Sequence, residues 1–266
     1  MTDDPLITLD GATKRFPGSN GGIHTAVRDL TLTVRPGEFV SVVGPTGCGK
    51  STMLSLVSGL EPASAGRVLV RGEAVQGIPD GVGYMFQTDA VLPWRSVLDN
   101  VAAGPRYRGD NKKAAREKAA DWVQRVGLGG FESYYPHQLS GGMRKRVALA
   151  QTLVTSPSIL LMDEPFSALD VQTRSMMQDE LLRLWSGTSA AVIFVTHDLE
   201  EAIALGDRVV VMTASPATVK AVFEVQLERP RAVEDLRLTE GFLKIHREVW
   251  QSLREEVEAS RNRSAA

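Results

Sequence analysis

Cysteine is the scarcest resource in this sequence. Cys48 is the single one among 266 residues, so no internal disulfide can form, in keeping with a reducing compartment. It also rules out the cysteine clusters of structural zinc modules. With no metal or nucleophile pattern around it, Cys48 reads as a small filler. No apolar run approaches the ~20 residues that cross a bilayer, and Met1-Thr2-Asp3-Asp4-Pro5 lacks the basic-then-apolar pattern of a secretory leader. An excess of one charge is missing too. The net charge of −2 gives no electrostatic footprint for nucleic acid, and no such partner is expected. Lys112, Lys113, Arg116 and Lys118 have Glu117 and Asp121 among them and read as a solvated helix face. What remains is an ordinary globular chain with room for one sizeable core and a subdomain.

What is present concentrates first in Gly44-Pro45-Thr46-Gly47-Cys48-Gly49-Lys50-Ser51-Thr52, which fits G-x-x-x-x-G-K-[ST]. The apolar, β-branched run at 38–43 ahead of it predicts a buried strand, and the pattern of 53–60 behind it predicts a buried helix closed by Gly59. A loop between a strand's carboxyl end and a helix N-terminus offers backbone N–H groups and a helix dipole to an anion. Its glycines let the backbone approach phosphate oxygens, Lys50 supplies positive charge for the β- and γ-phosphates, and the Ser51 hydroxyl suits Mg²⁺. The expected ligand is a nucleoside triphosphate.

Along the chain, 6–10 and 30–35 alternate apolar and polar, as half-solvated antiparallel strands do. Between them Pro17-Gly18-Ser19-Asn20-Gly21-Gly22 reads as a loop tip. Phe16, just before it, is open to two readings: a ring stacked on adenine, or a core or edge phenylalanine. Strands are predicted at 66–70 and 82–86, with Gln87 at the end of the second, where an amide can face a site at a sheet's carboxyl edge. Helical character then takes over, at 97–103 and 112–126. Trp94, between Pro93 and Arg95, either closes this helical stretch internally or belongs to an exposed docking surface.

Leu139-Ser140-Gly141-Gly142-Met143 is a second glycine-bearing turn before a predicted helix over 144–154, hence a second place for an anion. One phosphate reaches both turns only across two subunits or through a large fold-back. Ile159-Leu160-Leu161-Met162-Asp163-Glu164 is an apolar strand ending in two carboxylates. Asp163 suits a metal-linked position, and Glu164 is placed to polarise an attacking water. Asp170 fits a helix N-cap. A further apolar strand at 191–196 delivers His197 to the same sheet edge as Lys50 and Asp163, which favours a γ-phosphate contact over a purely local role.

The ordered set of P-loop, Gln87, L-S-G-G-M, I-L-L-M-D-E-P, S-A-L-D and His197 resembles the ATP-binding subunits of ABC transporters, from Phe16 to about Val211. The resemblance implies an α/β P-loop NTPase fold: a RecA-like mixed-sheet core with N-terminal antiparallel strands, plus an inserted all-α subdomain. It implies ATP and Mg²⁺ as ligands, with Ser51, Gln87 and Asp163 at the metal and Glu164, His197 and Gln87 in hydrolysis. It also implies a head-to-tail pair of subunits, in which Ser140, Gly141 and Gly142 of one chain meet the γ-phosphate held by residues 44–52 of the other. Phe16 matches the aromatic that stacks on adenine, usually tyrosine, and Asp170 the D-loop. Met143 stands where many members have glutamine, and Gln151-Thr152 where many have Arg-Ala.

D-E-P-F-S-A-L-D is similar to importer subunits, and L-P-W-R-S-V-L-D-N-V at 92–101 resembles the nitrate, sulfonate and taurine branch. That implies a permease touching the stretch from Gln87 to Val101, an extracytoplasmic solute-binding protein met only indirectly, and a peripheral seat on the cytoplasmic face of the inner membrane. The expected organisation is an ATPase domain over 1–230, its core from 1–87 and 157–230 with the helical subdomain 88–156 inserted, then a helical tail over 231–266. The alternatives are the ATPase of an exporter, or a non-transport ABC ATPase acting on DNA or ribosomes. Neither heptads nor cysteine clusters of the DNA-acting kind occur between the two glycine turns.

Overall fold

The computed structural model describes residues 4–18, 21–88 and 90–264. Met1, Thr2 and Asp3 of the leader reading, Ser19 and Asn20 of the loop tip, Asp89 of the expected permease contact and the last two residues of the tail lie outside the described residues.

The chain opens with a hairpin, β1 (Ile7–Pro17) and β2 (Ile23–Val34). β3 (Phe39–Val43) leads into α1 (Lys50–Ser58), and β4 (Ala65–Val70) and β5 (Glu73–Ala74) precede β6 (Val82–Met85). Helices follow: α2 (Val97–Val101), α3 (Ala103–Tyr107), α4 (Lys112–Arg125) and α5 (Gly141–Leu153). Then come β7 (Ile159–Asp163), α6 (Val171–Trp185), β8 (Ala191–Val195), α7 (Leu199–Leu205) and β9 (Arg208–Met212). β10 (Val219–Glu224), α8 (Val233–Leu236) and α9 (Glu240–Ser264) complete the fold.

One sheet is antiparallel, in the order β2-β1-β4-β5. The other runs β10-β9-β3-β8-β7-β6 and is parallel except for β10. Every residue of β3, β7 and β8 is buried, as strands covered on both faces require. Their side chains alternate between two cores. Phe39, Leu160, Met162 and Phe194 join α5, α6, α7 and α9, whereas Val40, Val42, Leu161 and Ile193 join α1 and the antiparallel sheet. A third core, with Val101, Ala119, Val123 and Val147, lies among α2, α4 and α5. α5 serves two cores: Leu149 and Leu153 face the sheet, Val147 and Ala150 the neighbouring helices. The mixed sheet, the antiparallel strands and the helical section between β6 and β7 agree with the expected α/β class.

Element bounds differ from the sequence reading for identifiable reasons. The first two strands are longer than predicted, because register shifts between Leu9 and Ala12, Ala12 and Lys14, and Lys14 and Arg15 interrupt the alternation that marks a strand. The expected helix over 97–103 is two short ones. Ala102 closes α2 and opens α3, where Pro105 falls in the first turn and needs no N–H partner. α5 begins at Gly141 rather than 144, since Ser140 caps it by accepting from Met143 N at 3.3 Å. The basic face of α4 pairs locally, with Arg116 on Asp99 and Lys118 on Asp110.

The tail is clasped to the end of α7. Buried Arg231 donates to the carbonyls of Ala204 at 3.1 Å, Gly206 at 2.7 Å and Leu227 at 2.9 Å. Burial pulls its pKa down to about 10, which leaves it charged at neutral pH. Arg229 donates to the Leu205 carbonyl at 2.7 Å and to Asp207.

Candidate nucleotide site

The parallel strands end in register: Met85 lies opposite Met162, Asp163 opposite Val195, and Val42 opposite Val195. The next residues of each strand therefore emerge on one edge. They are Gln87 after β6, Glu164 after β7, His197 after β8 and the glycine loop after β3. This is the carboxyl edge where open α/β sheets hold their ligands.

The loop wraps the Lys50 side chain. Its ammonium is buried and donates to the carbonyls of Gly44 at 2.8 Å and Pro45 at 3.0 Å. Gly49, the residue before α1, has φ 129, and a Cβ there would lie 2.6 Å from the Ala26 carbonyl oxygen. Only glycine fits. No acidic residue occupies the first turn of α1, so its N–H groups and dipole stay available to an anion. Cys48 is buried behind the loop, and its thiol pKa is pushed up chiefly by that burial, with Lys50 pulling the other way.

The carboxylates sit in distinct surroundings. Asp163 is buried near the Ser51 hydroxyl; burial, with the Glu164 charge adding to it, raises its pKa, and Ser51 and Lys50 oppose the rise. Glu164 has φ 43, in the left-handed region that a non-glycine residue seldom takes. Its Oε2 accepts from His197 Nδ1 at 2.9 Å and from Gln87 Nε2 at 3.3 Å. Since an ionised carboxylate only accepts, His197 is the donor of this bond, through Nδ1, and its Nε2 edge is left for another partner. Thr46, Gly47, Gly49, Lys50, Ser51 and Thr52, with Gln87, Glu164 and His197, line one open cleft of about 450 Å³, a size suited to a nucleotide's phosphates.

Other expected site residues stand outside this cleft. The Phe16 ring lies half-buried on β1 beneath the Lys14 ammonium, 5.0 Å from its centroid. Asp170 caps α6 by accepting from Thr173 N at 3.0 Å, and its exposed carboxyl is held below the usual range by that bond. The Ser140 turn lies beside it: a Cβ on Gly142 would come within 2.7 Å of Thr173 Cγ2. Ser140, Gly141, Gly142 and Asp170 therefore form one surface of their own, apart from the loop at 44–52.

Several supporting residues escaped the sequence reading. Lys145 Nζ, buried, donates to the Gln87 carbonyl at 3.0 Å. Beneath His197, Glu201 is buried and accepts from Gln178 Nε2 at 3.0 Å and from the Thr196 hydroxyl. Arg174 joins Asp198 at 3.1 Å to the Leu169 carbonyl at 3.0 Å, beside Asp170. The usable signal was Asp198-x-x-Glu201, an N-cap pattern at the start of α7. That Glu201 turns inward instead of capping has no mark in the sequence.

The ABC transporter family model matches residues 27–167. The chain belongs to that family. It is an ATP-binding cassette, an ATPase coupled to transport. An ABC transporter ATP-binding protein from Methanocaldococcus jannaschii is 43% identical over 94% of this cassette and 92% of its own length. The aliphatic sulfonates import ATP-binding protein SsuB of Bacillus cereus is 38% identical over 92% of this cassette and 94% of its own. The taurine import ATP-binding protein TauB of Rhizobium johnstonii is 41% identical over 84% and 86%. Among solved structures, the dimeric ATP-binding cassette MJ0796 bound to ADP and Pi superposes with a TM-score of 0.74 at 28% identity, over 84% of this chain and 100% of that one. No helix among the described residues is long and apolar enough to cross a membrane.

Proposed function

We propose that this cassette works as one half of a head-to-tail pair and powers import of a small anionic solute, of the sulfonate, taurine or nitrate kind, through a membrane permease. The observation that carries the reading is the Glu164 carboxylate, one residue beyond Asp163 and bound by His197 and Gln87 at the cleft of the P-loop. The backbone of residues 44–52 and the Lys50 ammonium bind the β- and γ-phosphates, and Phe16 stacks on the adenine. Ser51, Asp163 and Gln87 offer hard oxygen donors of the kind Mg²⁺ takes, and Ser51 lies near enough to Asp163 to bear on its pKa. When bound, the ion neutralises phosphoryl charge. Glu164 takes a proton from the attacking water, and His197, oriented by its Nδ1 bond, meets the γ-phosphate through its other edge.

Ser140, Gly141, Gly142 and Asp170 serve the partner's nucleotide in this reading, which accounts for their distance from the chain's own cleft. The dimeric neighbour supports that arrangement, and the import proteins SsuB and TauB support the direction of transport. A groove of about 470 Å³ between β6 and the helical section, lined by Tyr84, Phe86, Leu92, Gly104, Tyr107 and Gln151, adjoins the stretch from Gln87 to Val101 and suits the permease. The permease would hold the cassette at the cytoplasmic face of the inner membrane, with the solute-binding protein on the far side.

The deciding experiment is Glu164→Gln. General-base loss predicts that phosphate release falls by roughly 10²-fold or more, while ATP still binds. Turnover within a few-fold of wild type would reject the assignment.

A further inference from the structure

The C-terminal helix α9 lies beyond the residues matched by the family model, yet one of its side chains reaches the back of the nucleotide loop. Glu256 Oε2 accepts from the Ala214 N–H at 2.8 Å, and its Oε1 lies 2.9 Å from Lys220 Nζ. Lys220, on β10, also donates to the Ser252 carbonyl at 3.0 Å and pairs with Glu255 at 2.6 Å. These contacts fix α9 to the turn between β9 and β10.

That turn is tight and jammed against the loop. Thr213 N donates to Thr218 O at 3.0 Å, Thr213 Oγ1 to Pro216 O at 3.2 Å, and Thr218 N to Thr213 Oγ1 at 3.0 Å. On its inner side Ala217 N donates to Ala26 O at 2.9 Å, and Arg28 N to Ala217 O at 2.9 Å. Ala26 O and Ala217 Cβ are the two atoms that press closest on Gly49, at 2.6 and 3.1 Å from where its Cβ would stand. At the other end of the loop, Met212 Cβ and O would both lie 3.2 Å from a Cβ on Gly44. The turn therefore braces the loop at Gly49, and Met212, the last residue of β9 before the turn, braces it at Gly44. The turn's outer side is bound at Ala214, a buried residue, by a carboxylate of α9. The same carboxylate is near enough to Cys48, behind the loop, to add to the upward pressure on the thiol.

We propose that Glu256 is a positioning residue for the P-loop: through the 213–218 turn, α9 holds the loop in its phosphate-binding shape and so sets the affinity for ATP. Glu256 touches neither nucleotide nor water. It acts by pinning a backbone N–H whose displacement would loosen the packing behind Gly44 and Gly49. The inference rests on residues 44–52 being the ATP site.

Three variants of the full chain test it, each compared with wild type by direct binding of a non-hydrolysable ATP analogue. Glu256→Ala removes the acceptor, and loss of a charge-assisted hydrogen bond predicts an affinity about tenfold weaker, with kcat at saturating ATP within about twofold of wild type. Glu256→Gln keeps an acceptor for the Ala214 N–H, so its affinity returns to within about twofold of wild type. Glu255→Ala, which loses only an exposed pair with Lys220, leaves affinity unchanged. Cys48, as the single cysteine, reports the loop itself: Glu256→Ala and Glu256→Gln share the loss of the charge that presses on the thiol, so a loosened loop shows as faster alkylation without nucleotide in Glu256→Ala than in Glu256→Gln, with Glu255→Ala like wild type. Thermal melts separate the alternatives. A Glu256→Ala protein that melts lower but binds the analogue like wild type and alkylates like Glu256→Gln overturns the proposal, as does one that loses kcat with affinity intact. Wild type that fails to bind the analogue would instead remove the ATP-site reading beneath it.

Discussion

Glu201 shows how much of this site is held by residues that never touch the reactants. Its carboxylate satisfies the Thr196 hydroxyl and Gln178 amide directly beneath His197, with Arg174 and Asp198 as the nearest charges. Truncation to alanine leaves two buried donors without an acceptor and opens a cavity, at a cost of about 2–4 kcal/mol in a urea melt. The pH dependence has a definite sign. Burial raises the Glu201 pKa above its ordinary 4.5, so the folded state holds this proton more tightly than the unfolded chain. The charged form costs stability above the raised pKa, and that cost is relieved as pH falls from there toward 4.5. The stability advantage of wild type over Glu201→Gln should therefore widen as pH drops through that window. An advantage that shrinks would mean the carboxyl is not strained by its surroundings.

At the scale of elements, the strands that build the site could be read directly, and the hairpin that flanks it could not. β3, β7 and β8 are short, continuously apolar and followed by reactive residues, so pattern and chemistry point the same way. β1 and β2 carry bulges at Ala12 and Lys14 that break the period-2 signal, and no local rule anticipates them. The glycine turn at 140–142 looked like loop because glycine is a poor helix former, yet the Ser140 cap draws both glycines into α5. Gln87, Glu164 and His197 were legible as a group only because each ends a strand. Their convergence on Glu164 Oε2 depends on register, which the sequence does not state. Trp94 belongs to this scale as well. It is 72% exposed, so Trp94→Ala should alter the melting free energy by no more than about 0.5 kcal/mol. If the segment docks on a permease, transport in reconstituted vesicles should fall while ATPase activity of the free cassette is kept. Undiminished transport would place the contact elsewhere.

For the whole molecule, the useful fact is the separation on one chain of the two surfaces to which the proposed function assigns roles. The P-loop cleft and the surface of Ser140, Gly142 and Asp170 are each well formed, and neither completes the other within the chain. The proposed head-to-tail pair would satisfy both at once. Glu164→Gln with ATP should therefore sediment as a dimer, and wild type with ADP as a monomer. A variant that stays monomeric at saturating ATP would argue against the paired arrangement.

The contact between Lys145 and the Gln87 carbonyl has a mechanical consequence. α5 carries Lys145, so the backbone of Gln87 is tied to the helical section as well as to β6, while Glu164 follows β7 of the sheet. The side-chain bond from Gln87 Nε2 to Glu164 Oε2 is already long, at 3.3 Å. Hydrogen bonds of this kind weaken steeply beyond such lengths, so a drift of a few tenths of an ångström disengages it. Under the proposed function it would act less as a spring than as a clutch: a small tilt of the helices would be enough to couple Glu164 to Gln87 or release it.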